Sequence, residues 1–132
     1  MTENLKGIEE GRAIFAYKCV DEINKNKNVA KKYKSYAKRT PTMIQNNGLG
    51  PALAFVYSKI KEGKSDDEKA YKALYDAIGG RLKEVYLLDS NDDLMKTIVK
   101  IDSTEYREIT MEVLALFSWL RRFVDGMIEG EE

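Results

Sequence analysis

The chain has 132 residues, of which 43% are hydrophobic and 33% charged, and it contains no histidine. This length suits one domain, residues 1–132, and the composition is that of a globular protein and not of a disordered one. No apolar run is long enough to cross a bilayer and no secretory signal is visible, so we expect a cytoplasmic protein without a membrane partner. The lone cysteine, Cys19, fits a reducing compartment and is expected to be a small buried residue.

The missing histidine removes the usual general base, the commonest metal ligand and the partner of serine or cysteine nucleophiles. With a single cysteine, a zinc site would have to rest on carboxylates, which zinc does not favour. The acidic stretch 89–94, DSNDDL, lacks the central glycine and the terminal glutamate of a calcium loop, and we interpret it as a helix start capped by Ser90. The sequence therefore predicts no enzyme, no metal and no cofactor; a carboxylate–metal hydrolase is the one enzyme class left open.

Helical periodicity dominates the first third of the chain. The first predicted helix ends at the asparagine-rich stretch 24–28, and its apolar stripe consists of Ala13, Ala16, Val20 and Ile23. The second predicted helix places on one face Val29, Tyr33, Tyr36 and Ala37. Thr40 is then predicted to be the N-cap of a new helix whose first residue is Pro41.

The stretch 44–55, IQNNGLGPALAF, raises the question of a phosphate-binding loop. Leu53 stands where a dinucleotide-binding turn needs its third glycine, no strand precedes the stretch, and no lysine or hydroxyl follows Gly50 as in a P-loop. We therefore interpret it as a turn between helices, with a backbone-amide contact to phosphate as the alternative. The predicted structural turn comprises Asn46, Asn47, Gly48, Leu49, Gly50 and Pro51.

The remaining chain continues the helical pattern. A helix from Pro51 is expected to stop at Gly63, and Ser65 with Glu68 forms a capping box for the next one, which Gly79 and Gly80 interrupt. A short helix at 94–101 follows. The stretch 102–105, DSTE, opens the longest helix, with a seam of Ile109, Val113, Leu116, Leu120, Phe123 and Met127. The predicted fold is all-α: a compact single-domain bundle of about six or seven helices with no sheet.

Charges balance overall, 22 against 22, but they are segregated along the chain. Residues 23–61 carry nine basic side chains and no acid, so the rest of the chain carries the opposite net charge. Within this segment four lysines recur at helical spacing on one face: Lys27, Lys31, Lys34 and Lys38. We expect this face to lie in solvent and to contact a polyanion, with an ordinary solvated face as the alternative.

Two stretches, PTMIQNNGLGPALAFVYSK (41–59) and YREITMEVLALFSWLRRFVDG (106–126), closely resemble characteristic regions of one family. It is the small subunit of the type III-B CRISPR effector, the Cmr RNA-silencing complex. The opening GRAIFAYKCV (11–20) also resembles the start of that family, whereas residues 62–102 resemble it only loosely. The similarity runs in order over nearly the whole chain.

The resemblance implies a non-catalytic, all-helical structural subunit that stacks beside the backbone subunits and helps to hold target RNA in antiviral silencing. Its implied partners are other Cmr subunits, further copies of itself, and guide and target RNA within the complex. We expect the isolated protein to be monomeric and its copies to stack a basic region against an acidic one. A free-standing helical protein–protein adaptor with a basic docking face is the alternative function.

Two sets of candidate residues follow from this interpretation. The candidate RNA-binding residues are Lys25, Lys27, Lys31, Lys32, Lys34, Lys38 and Arg39. The candidate subunit-interface residues are Trp119, Arg121 and Arg122, since tryptophan and arginine are enriched at interfaces. For this second set the alternative is that the tryptophan is buried in the core and the two arginines are solvated.

Overall fold

A computed structural model of the chain describes residues 2–130, with side chains from residue 7 onward. Over these residues the chain forms six α-helices and no strand. In chain order the helices are α1 (Thr2–Ile23), α2 (Lys27–Asn47), α3 (Leu49–Ile60), α4 (Asp66–Glu84), α5 (Leu94–Ile98) and α6 (Ser103–Met127). The all-α prediction is confirmed.

One buried apolar cluster holds the helices together and receives side chains from all six. Its largest members include Tyr33 of α2, Leu74 of α4 and Phe117 of α6, which are almost completely inaccessible to solvent. Helix α2 packs against α4 and α6, α1 packs along α6, and α3 packs on α4. The predicted seam of α6 enters this cluster, with its first four residues buried and Phe123 and Met127 partly buried.

Helix α2 runs unbroken through Pro41, so the predicted helix boundary at Thr40 is wrong. The Thr40 hydroxyl donates to the Tyr36 carbonyl oxygen at 2.7 Å, which is a bond to the preceding turn and not an N-cap. A proline inside a helix removes one backbone hydrogen bond. The helix nevertheless continues, because the buried stripe formed by Tyr33, Ala37 and Ile44 passes from one side of Pro41 to the other.

The cap predicted at Ser90 is also wrong. Asp93 caps α5 instead, because its carboxylate accepts from the Lys96 amide nitrogen at 3.0 Å. The predicted capping box of α4 is confirmed: Ser65 Oγ accepts from the Glu68 amide nitrogen at 3.1 Å, and the Glu68 side chain accepts from the Ser65 amide nitrogen. Helix α4 continues through Gly79 and Gly80, where a predicted interruption is not seen.

The connection between α2 and α3 is reduced to one residue, Gly48, with φ 94° and ψ 160°. Asn46 and Asn47 end α2, while Leu49, Gly50 and Pro51 form the first turn of α3. The Gly50 amide nitrogen donates to the hydroxyl of Tyr106 in α6 at 2.7 Å, so this amide is occupied within the fold.

Gly48→Ala should destabilise the protein by about 1–3 kcal/mol, because side chains other than glycine rarely adopt this backbone conformation. The matched control is Gly126→Ala in α6, where an added Cβ meets no atom within 4 Å. That control should raise stability by about 0.5 kcal/mol, because glycine disfavours a helix. Urea unfolding measures the stability of both variants. Equal stability of the two variants would contradict a requirement for glycine at position 48.

Candidate functional site

The basic side chains of α2 occupy very different environments. Lys27 and Lys31 are exposed on the first two turns, and neither has an acidic partner within the described part of the chain. The helix begins where the Asn26 side chain accepts from the Val29 amide nitrogen at 3.3 Å, and this cap fixes the start of the lysine stripe.

Lys34 does not face solvent, and the expectation that it does is wrong. Its residue is only 6% exposed, and its ammonium group donates to the carbonyl oxygens of Ile128 at 2.9 Å and Gly130 at 3.0 Å. These carbonyls follow the end of α6, where helical partners run out. Lys34 therefore fastens the segment after α6 to the middle of α2, and it is not available to a phosphate.

Three further candidate cations pair with acids. Lys38 Nζ lies 2.8 Å from Asp125, Lys32 Nζ lies 3.4 Å from Asp67, and Lys25 Nζ lies 3.0 Å from Glu22. The hydrogen bond from Lys38 holds the pKa of Asp125 below its ordinary value. The Arg39 guanidinium lies 5.1 Å from the centre of the Tyr36 ring.

The charge segregation of the sequence is thus partly cancelled in space. Asp67 comes from α4, Asp125 from α6 and Glu22 from α1, and each forms a salt bridge with a lysine of the acid-free segment. A count of charges along the chain carries no signal of these pairings, because two of the three join residues far apart in sequence.

Trp119 is neither fully buried in the core nor fully exposed at the surface. Its ring is partly buried and stacks on Phe123 with centroids 5.8 Å apart, while Phe123 meets the half-exposed Tyr17 edge-on at 5.6 Å. The indole Nε1 donates to Glu9 at 2.7 Å. Arg121 and Arg122 are exposed and border an open groove of about 460 Å³ between α2 and α6.

The most elaborate polar cluster was not predicted, and we call it the Glu112 ion cluster. Arg12 donates to both carboxylate oxygens of Glu112, at 3.0 and 2.9 Å, and Arg81 Nε donates to the same carboxylate at 2.7 Å. The three side chains are 13%, 9% and 3% exposed for Arg12, Glu112 and Arg81. Arg12 also pairs with Glu9 at 2.7 Å, so the cluster reaches the Trp119 indole.

Burial alone would raise the pKa of Glu112, but the hydrogen bonds from Arg12 and Arg81 outweigh it and hold the pKa below the ordinary value. The carboxylate is therefore ionised at neutral pH and saturated with donors. A hint was present in the sequence: Glu112 falls beside Ile109, Val113 and Leu116 on the apolar seam of α6, where a carboxylate needs cationic partners.

The described side chains include few groups suited to nucleophilic or metal chemistry. Burial, followed by the charge of Glu84, raises the pKa of Cys19 to about 11, so its thiol is protonated at neutral pH. Among residues with described side chains, no group of three or more histidines, cysteines, aspartates or glutamates is arranged to hold a metal ion. None of the helices in the described range is both long and apolar enough to span a membrane.

These features define a small all-helical protein with a charged surface and a buried inter-helix ion cluster. Residues 8–127 match the model of the family described as CRISPR-associated protein (Cas_Cmr5), and the chain belongs to this family. A relative is the CRISPR system Cmr subunit Cmr5 of Thermus thermophilus, with 32% identity over 114 residues, which cover 86% of this chain and 90% of that protein. The resemblance noted in the sequence is confirmed.

Glu112→Gln should lower the free energy of unfolding at pH 7 by roughly 3 kcal/mol, because it leaves two buried arginines without their shared anion. The loss should shrink in acid. The unfolded carboxyl titrates near 4.5 and the folded one lower, so its contribution is complete above 4.5 and disappears as pH falls through the folded pKa. Urea unfolding of both proteins between pH 7 and 3 measures the difference.

The control is Glu84→Gln, which removes a second partner of Arg81 that is 51% exposed and should cost less than about 1 kcal/mol. A difference between wild type and Glu112→Gln that stays constant down to pH 3 would show that the loss does not come from the carboxylate charge.

Lys34→Met should destabilise the protein by about 2 kcal/mol, because the buried carbonyl oxygen of Ile128 and the partly buried hydrogen bond to Gly130 lose a charged donor while the apolar stem is kept. Lys31→Met, one turn away and exposed, should change stability by less than about 0.5 kcal/mol. Urea unfolding compares the two. Equal stability of the two variants would mean that the Lys34 ammonium group does not hold the segment after α6.

Proposed function

We propose that this protein is a non-catalytic subunit of a Cmr ribonucleoprotein, where it assembles with other Cmr subunits and with further copies of itself and helps to hold RNA. The observation that carries the proposal is the extent of the match, which runs through residues 8–127 and nearly the whole length of a protein named as a Cmr subunit. A similarity over the whole chain favours a shared role over a shared local motif.

The chemistry of the described side chains supports a role without catalysis. Cys19 is a protonated, partly buried thiol, and the carboxylate of Glu112 is saturated by two arginines. The sequence offers no histidine as a base for either. A general base or an activated nucleophile needs a perturbed pKa near the working pH, and Cys19 and Glu112 are both shifted away from it.

RNA contact is best supported at Lys27 and Lys31, which are exposed and form no salt bridge in the described structure. Phosphates need positive charge but no particular side-chain geometry, so such contacts hold RNA of any sequence. Lys25, Lys32 and Arg39 are also exposed and extend this set. Each of the two lysines is already paired with an acid, Lys25 with Glu22 and Lys32 with Asp67. Lys34 leaves the set because it is buried, and Lys38 is less suitable because Asp125 is bound to it.

Contacts with neighbouring subunits are best supported around Trp119. Its partly exposed ring, the half-exposed Tyr17 and the exposed Arg122 combine aromatic surface with a cation, the composition typical of interface centres. The Glu112 ion cluster fixes this surface from below through Glu9.

A reconstituted Cmr complex tests the proposal. The tagged wild-type chain, expressed with the other Cmr subunits and a guide RNA, should retain them in fixed proportion on purification. The double variant Lys27→Glu/Lys31→Glu should assemble equally well but bind target RNA more weakly. If both lysines neutralise phosphates, the slope of log affinity against log salt should become less negative by roughly 1.4 for a single strand.

The control carries the same charge change elsewhere: Lys96→Glu/Lys100→Glu, on α5 and just after it, where both lysines are exposed. It should leave affinity and salt slope near those of wild type. Failure of the wild-type chain to retain any Cmr subunit would reject the proposed function and favour a free-standing adaptor. Identical salt slopes for the two double variants would reject the RNA role of Lys27 and Lys31 alone.

A further inference from the structure

An aromatic groove lies between α2, α3 and α4, and the proposed function has not used it. Tyr71 of α4, 9% exposed, forms its floor. The Tyr36 ring of α2 stacks on Tyr71 with centroids 4.0 Å apart and an interplanar angle of 12°, and Phe55 of α3 meets Tyr71 edge-on at 6.2 Å. Phe55 remains 40% exposed. Three helices therefore bring three aromatic rings to one surface.

Cations lie over both outer rings of this groove. Arg39 is 5.1 Å from the centre of the Tyr36 ring, and Lys59 Nζ is 5.2 Å from the centre of the Phe55 ring. Since Tyr71 covers one face of Tyr36, the exposed Arg39 covers the other. An open cavity of about 380 Å³ adjoins these rings, and its lining includes Tyr36, Tyr71, Lys59 and Lys61 but not Phe55 or Arg39.

The acids of the groove are already engaged. The Asp67 carboxylate accepts from the Tyr36 hydroxyl and pairs with Lys32, and the hydrogen bond from Tyr36 holds its pKa below the ordinary value. The Glu68 carboxylate accepts from the amide nitrogens of Lys64 and Ser65 in the capping box. Three cations, Arg39, Lys59 and Lys61, consequently have no carboxylate bound to them in the described structure.

We propose that this groove binds unpaired bases of single-stranded RNA, one base stacking on the exposed ring of Phe55 while Arg39, Lys59 and Lys61 contact the adjacent phosphates. An exposed aromatic ring beside cations that bind no carboxylate matches the chemistry of a single strand, whose bases and phosphates alternate at short range. The inference deepens the proposed function, on which the choice of RNA rests. It adds base contact to the phosphate contact assigned to Lys27 and Lys31.

A second aromatic pair, which also joins α3 to α4, provides a matched control. Tyr57 of α3 is 52% exposed and packs against Tyr75 with centroids 5.5 Å apart. In the described structure no cation lies over either of these rings. Phe55 and Tyr57 are therefore both exposed side chains of α3, and a cation lies over the ring of Phe55 alone.

Fluorescence anisotropy with a labelled 15-nucleotide oligouridylate and with an abasic strand of equal length tests the groove on the isolated full chain at low salt. Phe55→Ala should weaken binding of the oligouridylate roughly tenfold, the size expected for losing one stacked base. Phe55→Leu, which keeps apolar bulk without a ring, should weaken it similarly, so a folding defect of the alanine variant does not decide the result. Tyr57→Ala should bind as wild type does.

The abasic strand separates stacking from charge. Wild type should bind it more weakly than the oligouridylate, and Phe55→Leu should bind it as wild type does. Unchanged oligouridylate affinity in Phe55→Leu, an equal loss for the abasic strand, or no binding by wild type would overturn the inference. Displacement of the RNA by an oligoglutamate of the same length at lower concentration would overturn it in favour of an acidic protein partner. Assembly with Cmr subunits is a separate measurement, so the proposed function survives any of these outcomes.

Discussion

The buried carboxylate of Glu112 is the constraint on which the arrangement of three helices depends. A charge in this position is tolerated only with cations in hydrogen-bond contact, and the cations come from α1 through Arg12 and from α4 through Arg81. Arg12 in turn orients Glu9, which holds the Trp119 indole. The position of the candidate interface tryptophan therefore depends on an interaction beneath the surface. A change in the Glu112 ion cluster would alter the position of the Trp119 ring.

Much of the fold could be predicted because burial imposes a period on each helix. The stripes of α1 and α6 and the capping box at Ser65 are local signals, and the structure has them. Pro41 shows where local signals fail. Its effect on the backbone is local and unfavourable, whereas the burial of Ile44 beyond it depends on packing between helices, and the packing prevails. Nothing in the structure explains why Asp93 and not Ser90 caps α5.

The candidate site could be predicted only in part, because the sequence shows which charges are present and not which charges meet. Lys34 has the spacing of Lys27 and Lys31, yet the segment after α6 covers it. Asp125 reaches Lys38 from a helix 87 positions further along the chain. The family, by contrast, could be identified from the two characteristic stretches, since that comparison needs no knowledge of contacts.

Helix α2 presents two polar flanks on either side of its buried stripe, and the two flanks differ in the chemical groups that they offer. The flank with Lys27 and Lys31 offers flexible point charges, which bind phosphate without fixing its orientation. The flank with Tyr36 and Arg39 offers planar groups, since Tyr36 stacks on Tyr71 of α4 and Arg39 lies over Tyr36, and it borders the groove proposed to bind a base through Phe55. Because one helix carries both flanks, helix geometry fixes the separation of their backbone positions. In the proposed assembly, a strand that crosses α2 would therefore meet the phosphate contacts on one side of the helix and the base contact on the other.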